Sequence, residues 1–318
     1  IFSCGGVRVG FEICEDAWVA ERPGAELAQR GVDVIFNPSA SHFAFGKHEV
    51  RQRFVLEGSR AFHVSYVYAN LLGNEAGRAI YDGDAMIASC GRLLASGPRF
   101  SFADFYLTTA VVDIDHSRML RARTSSFQPT IISGQSEMID VDFDYGPVSP
   151  TPDEEPRAPW ETGDHLKEEE FTRAVSLALF DYLRKSKSRG FVVSLSGGAD
   201  SAAVACLCAL SIRLGFVGIG PQRLLQKLDY IHDMPHSVEP ADVVRRLLTC
   251  VYQATRNSSD ITRNAAREVA TSLGAEFFEF DVDSLVQQFV QMVSDAIGRP
   301  LTWESDDLAL QNIQARVR

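Results

Sequence analysis

Two successive α/β domains are what this sequence predicts, on three observations. The chain has 318 residues, and at roughly 150 residues per domain that makes two units large enough to bury a core. Short apolar runs alternate with runs of helical period in both halves. Between them lies an acidic, proline-rich stretch with neither period. Hydrophobic residues make up 45% and charged residues 23%, an ordinary globular composition that excludes a disordered, collagen-like or disulfide-scaffold chain.

In the first half, 7–13 (VRVGFEI) reads as a strand, 24–30 as a short helix and 32–36 as a buried strand. A helix over 48–62 and a strand over 64–71 follow, and 85–89 and 107–114 (LTTAVVDI) add two more strands. In the second half, 168–187 places Phe171, Val175, Leu179 and Tyr182 or Leu183 on one helical face, with acids in the first turn and bases in the last, as the helix dipole favours. The apolar strand 191–195 runs directly into a glycine loop and a helix over 202–214. Helices over 263–273, 282–297 and 308–318 and a strand over 277–280 complete a pattern expected of a parallel sheet covered on both faces.

The net charge is −11, which argues against nucleic acid or an anionic membrane as partner. Residues 137–170 hold twelve acids and two bases, −10 of that total, and five of the 13 prolines. The bodies on either side are therefore nearly neutral, and 145–162 reads as a solvated linker between a domain over 1–144 and another over 163–318. Cysteines at 4, 14, 90, 206, 208 and 250 lack metal-site spacing and read as reduced thiols of a cytoplasmic protein. No apolar run is expected to approach the roughly 18 residues of a membrane helix. His42 and His48 read as surface or loop histidines, and Trp18, Trp160 and Trp303 as packing anchors.

The loop SGGADS (196–201) joins a strand to a helix N-terminus. Gly197 and Gly198 can turn backbone amides inward, Ser196 and Ser201 add hydroxyl donors, and the helix dipole favours an anion in the same hollow. Asp200 makes sense beside phosphates chiefly as a ligand for Mg²⁺. There is no Gly-Lys-Ser/Thr and no GxGxxG spacing, so this is neither a Walker nor a Rossmann loop; a plain βα turn is the competing reading. Cys14 follows a strand, where a sharp elbow could present its thiol and aim the Glu15 amide at an oxyanion. A strand-end cysteine is otherwise a small buried hydrophobe.

SGGADS resembles the pyrophosphatase loop of the PP-loop ATP pyrophosphatases. GFEICEDAW (10–18) followed by NPSASHFAFGK (37–47) resembles the carbon–nitrogen hydrolase (nitrilase-like) amidases, specifically the glutaminase domain of the glutamine-dependent NAD⁺ synthetases. The likeness extends to YANLLGNEAGRAIYDGDAMIAS (68–89), CVYQATRNSSDITRNAA (250–266) and ALQNIQARVR (309–318).

The resemblance implies the C-terminal part of a nitrilase-like α-β-β-α sandwich followed by the N-terminal part of a Rossmann-like PP-loop domain. It implies Cys14 as nucleophile, Ser41 and Lys47 as glutamine contacts, and Ser194, Leu195, Ser196, Gly197, Gly198, Ala199, Asp200 and Ser201 as the ATP site, with Asp200 on Mg²⁺. Asn312 and Arg316 match positions that contact deamido-NAD, with a solvated amphipathic helix as the alternative. Arg256, Asn257 and Thr262 are weaker ATP candidates, and the Asn257 region could equally be a helix cap. Glutamine, ATP and deamido-NAD are the implied small-molecule partners, in a homo-oligomer. Another PP-loop amidotransferase, or a degenerate amidase domain used only for assembly, remain alternatives. The family's triad Glu and Lys would precede residue 1, and further pocket residues would follow 318, so Glu12, Glu15 and Lys47 are not assigned triad roles. Cuts within a longer protein are expected at both ends. The 318-residue chain alone is accordingly expected to release glutamate from glutamine only at background rate; robust turnover in a coupled glutamate assay would refute this.

Overall fold

Phe2–Cys4 (β1) and Val7–Phe11 (β2) form a hairpin whose turn, Gly5-Gly6, takes positive φ at both residues (52° and 82°), as a two-residue turn with right-handed strand twist requires. The computed structural model describes residues 1–75, 77–130, 138–148, 158–235 and 239–318. It divides into two units, Ile1–Ala178 and Leu179–Arg318. Half of the expected linker, 149–157, lies outside the described residues.

The first unit is built on a seven-stranded mixed sheet. Val34–Ser39 (β3) and Ser65–Asn70 (β4) continue parallel from β2, and Met86–Ser89 (β7) and Arg92–Ser96 (β8) return antiparallel. Ile139–Val141 (β9) adds in parallel beside β1, giving the order β8-β7-β4-β3-β2-β1-β9. A separate hairpin pairs Leu72–Glu75 (β5) with Ala79–Asp82 (β6). Pro23–Gln29 (α1) and Lys47–Phe62 (α2) cover one sheet face, where Val32, Ile35, Val55, Val64, Tyr66 and Met86 form a core with no solvent exposure. On the other face Val9, Val34, Phe36, Val67 and Ile87 line an apolar cavity of about 480 Å³.

The expected strand 107–114 is not one. Its alternation survives as burial, with Thr108, Ala110 and Val112 half-buried between exposed neighbours, Leu107 at 76%. The segment lies over the side chains that line this cavity rather than beside a strand edge, so it has no ladder partner among the described residues. Ile114–Arg123 (α3) follows, capped by the Asp113 carboxylate, which accepts from the His116 amide.

α3 is clamped to the sheet by charge. The Arg118 and Arg121 guanidiniums both bond the buried Asp33 carboxylate, which also accepts from the Arg8 amide at 3.0 Å. Burial alone would raise the Asp33 carboxyl, but these hydrogen bonds and the two arginine charges outweigh it and hold it below its ordinary 3.8.

Leu166–Ser186 (α4) starts in the first unit and ends in the second. The expected face is turned: Phe171 is 49% exposed, while Glu170, Ala174 and Leu177 are buried. The cause is Glu170, whose carboxylate bonds the buried Arg99 guanidinium at 2.7 Å. Arg99 also reaches Asp82, and Trp160 stacks between Arg99 and Arg173 as the expected packing anchor.

In the second unit, Phe191–Ser194 (β10), Leu248–Ala254 (β11) and Glu276–Asp281 (β12) form a wholly parallel sheet in that order. Its helices are Ala199–Ile219 (α5), Pro221–Lys227 (α6), Pro240–Leu247 (α7), Asp260–Leu273 (α8), Asp283–Ile297 (α9) and Asp307–Val317 (α10). α5 corrects one expectation: at 21 residues and mean hydropathy 2.1 it is long and apolar enough to cross a membrane. Here Ala205, Cys208, Ala209 and Ile212 are buried, and Arg213 on the same helix donates to the Leu273 carbonyl at the end of α8.

Because the folded pKa of Asp33 is depressed, its contribution is present above pH 3.8 and is lost as pH falls toward the folded value. Asp33→Asn should therefore destabilise the first unit by about 3–5 kcal/mol at pH 7. Urea unfolding should show that gap from wild type narrowing below pH 4.

Candidate active sites

Cys14 stands where β2 ends, at the first residue of a short 3-10 turn, Cys14–Trp18, with φ of 49°. A non-glycine residue there is strained by about 1–3 kcal/mol, so its surroundings must enforce it. They do so on both sides. Glu12, fully buried, accepts from Arg22 (2.6 and 3.2 Å), from the Gly24 amide (3.0 Å) and from the Tyr66 hydroxyl. Asn37 in turn donates to Tyr66 Oη at 2.9 Å. Burial, reinforced by the neighbouring Glu12 charge, pushes the Tyr66 hydroxyl far above its usual pKa and keeps it a donor. Past the cysteine, the Asp16 carboxylate accepts from the Ile13 amide at 2.8 Å. Glu12 is thus committed to an ion pair with Arg22.

Lys47, the first residue of α2, holds its ammonium 5.6 Å from the Trp18 ring. Burial and the Arg51 charge lower the Lys47 pKa, against an opposing pull from Asp82 and Cys14. Trp18, 40% exposed, packs edge-on against Phe54 and is also a platform for this cation.

Ser41 is buried, and its hydroxyl accepts from Arg51 Nε and Nη2, both at 3.3 Å. Arg51 itself is wholly buried. Its Nη1 bonds Asp82 at 2.8 and 3.0 Å and Asp84 at 3.3 Å, and its Nη2 donates to the carbonyls of Ser41 (2.8 Å) and His42 (3.0 Å). His48 corrects the surface reading: at 8% exposure its Nδ1 sits 2.9 Å from Asp84. Arg51, Asp82 and Asp84 were not singled out by sequence. YDGD (81–84) was visible as a string, but nothing local shows that an arginine some thirty residues earlier closes on it.

In the second unit the loop after β10 is shaped by Gly197, at φ 80°. A Cβ there would stand 2.7 Å from Thr262 Cα, so only glycine lets the loop lie against α8. Gly198 is the N-cap of α5. Ser201 Oγ accepts from the Ser196 amide at 3.1 Å, and Ser196 Oγ accepts from the Gly198 amide at 3.2 Å. The hydroxyls thus occupy the donors that an anion would engage. Asp200 lies in the first helical turn, Leu195 is buried, and Ser194 donates to Gln253 on β11 at 2.7 Å.

Thr262 lies against the loop glycine, and its hydroxyl meets Tyr252 Oη at 2.9 Å. Arg256 is held by Asp283, with bonds of 2.7 to 3.1 Å, beside a cleft of about 380 Å³ at the ends of β11 and β12. Asn257 donates to Gln314 at 3.2 Å. α10 docks through Gln314 and Arg318, both bonded to Thr255 Oγ1. Asn312 and Arg316 lie on its opposite, exposed face, and Asn312 donates to the Leu308 carbonyl of its own helix. Among the described residues no group of three or more His, Cys, Asp or Glu side chains forms a metal cluster. Trp303, expected as a packing anchor, is 55% exposed.

A family profile described as NAD synthase matches residues 171–318. A glutamine-dependent NAD(+) synthetase of Mus musculus is 34% identical over 324 residues, 98% of this chain and 44% of that protein. The crystal structure of one from Cytophaga hutchinsonii superposes with a TM-score of 0.71 at 38% identity, again over 98% of this chain and 44% of that one. Over nearly its whole length the chain is similar to glutamine-dependent NAD(+) synthetases. It spans under half the length of these family members. A structure from Acinetobacter baumannii in complex with ADP, 21% identical with a TM-score of 0.64, shares the fold. Gly197→Ala should lower the stability of the second unit by about 2 kcal/mol or more, read as a shift in its urea midpoint.

Proposed function

We propose that the chain carries parts of two active sites of a glutamine-hydrolysing NAD⁺ synthetase, a C–N ligase. One observation carries this reading: a cysteine elbow and a strand–SGGADS–helix loop occur in one chain that aligns over 98% of its length with proteins of that name. Residues 1–144 would form the nitrilase-like amidase domain, 145–162 the linker and 163–318 the PP-loop domain.

The Cys14 sulfur attacks the side-chain amide carbon of glutamine, giving a glutamyl thioester and expelling ammonia; water then releases glutamate. Lys47 supplies the fixed positive charge nearby. Ser41 acts through Arg51, which locks the loop bearing both residues. Carboxylate is a poor electrophile, so the nicotinate carboxylate of deamido-NAD first attacks the α-phosphorus of ATP and displaces pyrophosphate. Ammonia then attacks the mixed anhydride, AMP leaves, and the amide of NAD⁺ remains.

Ser196, Gly197, Gly198 and Ser201 are placed to receive the leaving pyrophosphate, with phosphate oxygens replacing the serine hydroxyls on the loop amides. A lone carboxylate suits Mg²⁺, which takes one or two protein ligands and completes its shell with phosphate oxygens and water. Asp200 would hold that ion, which neutralises phosphate charge when bound. Arg316 and Asn312 present an exposed polar face free to meet deamido-NAD.

The test uses a protein of the relatives' full length that contains this chain. Cys14→Ala should abolish NAD⁺ formation from glutamine, at least a thousandfold, while leaving formation from ammonium within about threefold. AMP should appear one for one with NAD⁺. ADP release would sink the PP-loop assignment, and undiminished glutamine use would sink Cys14.

A further inference from the structure

Two charges of opposite sign, on the elements around the Cys14 turn, have no counterion among the described residues. Lys47 is tied to the Cys14–Trp18 turn through the Trp18 ring, and no carboxylate among the described residues pairs with its ammonium. Glu75, exposed at the end of β5, accepts from the Tyr81 hydroxyl at 2.6 Å, and no described cation pairs with it. Tyr81 faces Gly73 across the β5–β6 hairpin, and Glu75 lies two residues farther along the same face, so the ring crosses the hairpin diagonally to hold the carboxylate.

The hairpin is fastened to the loop bearing Ser41 and Lys47, because the Phe43 amide donates to the Ile80 carbonyl, next to Tyr81, at 2.7 Å. Tyr81 and Lys47 both feel the charge of the Cys14 sulfur. Thiol, ammonium and tyrosine-held carboxylate therefore belong to one locale assembled from β2, α2 and the hairpin.

An α-amino acid presents an ammonium and a carboxylate on one carbon, and each loses hydration on binding unless it meets the opposite charge. We propose that Glu75, held in place by Tyr81, receives the α-ammonium of the glutamine, with Lys47 facing its α-carboxylate. This rests on the amidase reading above. It makes Glu75 a specificity residue and Tyr81 a positioning residue. Glu15, adjacent to the nucleophile in sequence, is the rival carboxylate.

The test compares L-glutamine with 4-carbamoylbutanoate, which keeps the amide and the carboxylate but lacks the α-amine, in the same full-length protein. The ratio of kcat/KM for the two substrates isolates the ammonium contact. Glu75→Gln should lower that ratio roughly tenfold or more, chiefly through KM for glutamine. Glu75→Asp should recover part of it, and Tyr81→Phe should move it in the same direction by less. An unchanged ratio in Glu75→Gln, or a collapse in Glu15→Gln instead, overturns the proposal. If the unsubstituted protein releases no glutamate from glutamine, the amidase reading itself falls; if it does and the ratio ignores Glu75, only the present assignment falls.

Discussion

The buried Glu12 carboxylate is the constraint on which the first unit's chemistry hangs. An ionised carboxylate with no access to water is tolerable only when its acceptor sites are filled. Arg22, Tyr66 and the Gly24 amide fill them from three different elements: the chain before α1, strand β4 and the helix start. Removing one donor would cost about 3–5 kcal/mol, so the strand exit cannot relax. That rigidity is larger than the strain of a cysteine at φ 49°, which is why the elbow two residues later can persist.

A second buried network does for the loop bearing Ser41 what Glu12 does for the thiol. Arg51 joins two aspartates near β6 to the carbonyls of Ser41 and His42, and Arg99 extends the same charges to Glu170. Polar side chains at this density are unusual in a core, and every carboxylate named here has a guanidinium or imidazole against it. The second unit achieves comparable fixity without charge. Gly197 gives its loop a left-handed turn, and the close approach of Thr262 leaves the loop no room to shift.

Local signals were legible in the sequence and long-range ones were not. The strand–SGGADS–helix unit, the helix over α2 and the parallel alternation of the second half follow from periods and punctuation within a few residues. Phe171 shows the limit: by apolar periodicity it belongs to the buried face of α4, yet Glu170 takes that place because Arg99, some seventy residues earlier, waits for it. The stretch 107–114 alternates as a strand does, but alternation reports which side chains are covered, not whether the backbone has a neighbour. His48 failed for the same reason as Phe171, since its partner Asp84 is distant in sequence. On α10 the docking face belongs to Gln314 and Arg318, and no local signal marks it, because their partner Thr255 lies some sixty residues earlier.

The Arg51 guanidinium has a consequence for how this region can change. Its contacts use the planar fork: one edge toward the aspartates, the other toward two carbonyls and a hydroxyl. Lysine would preserve the charge but offer a single point with three donors on a flexible stem, and could not reach both edges at once. Position 51 is therefore closed to the exchange usually counted as mild. Shape, more than sign, is what this site demands of its cation.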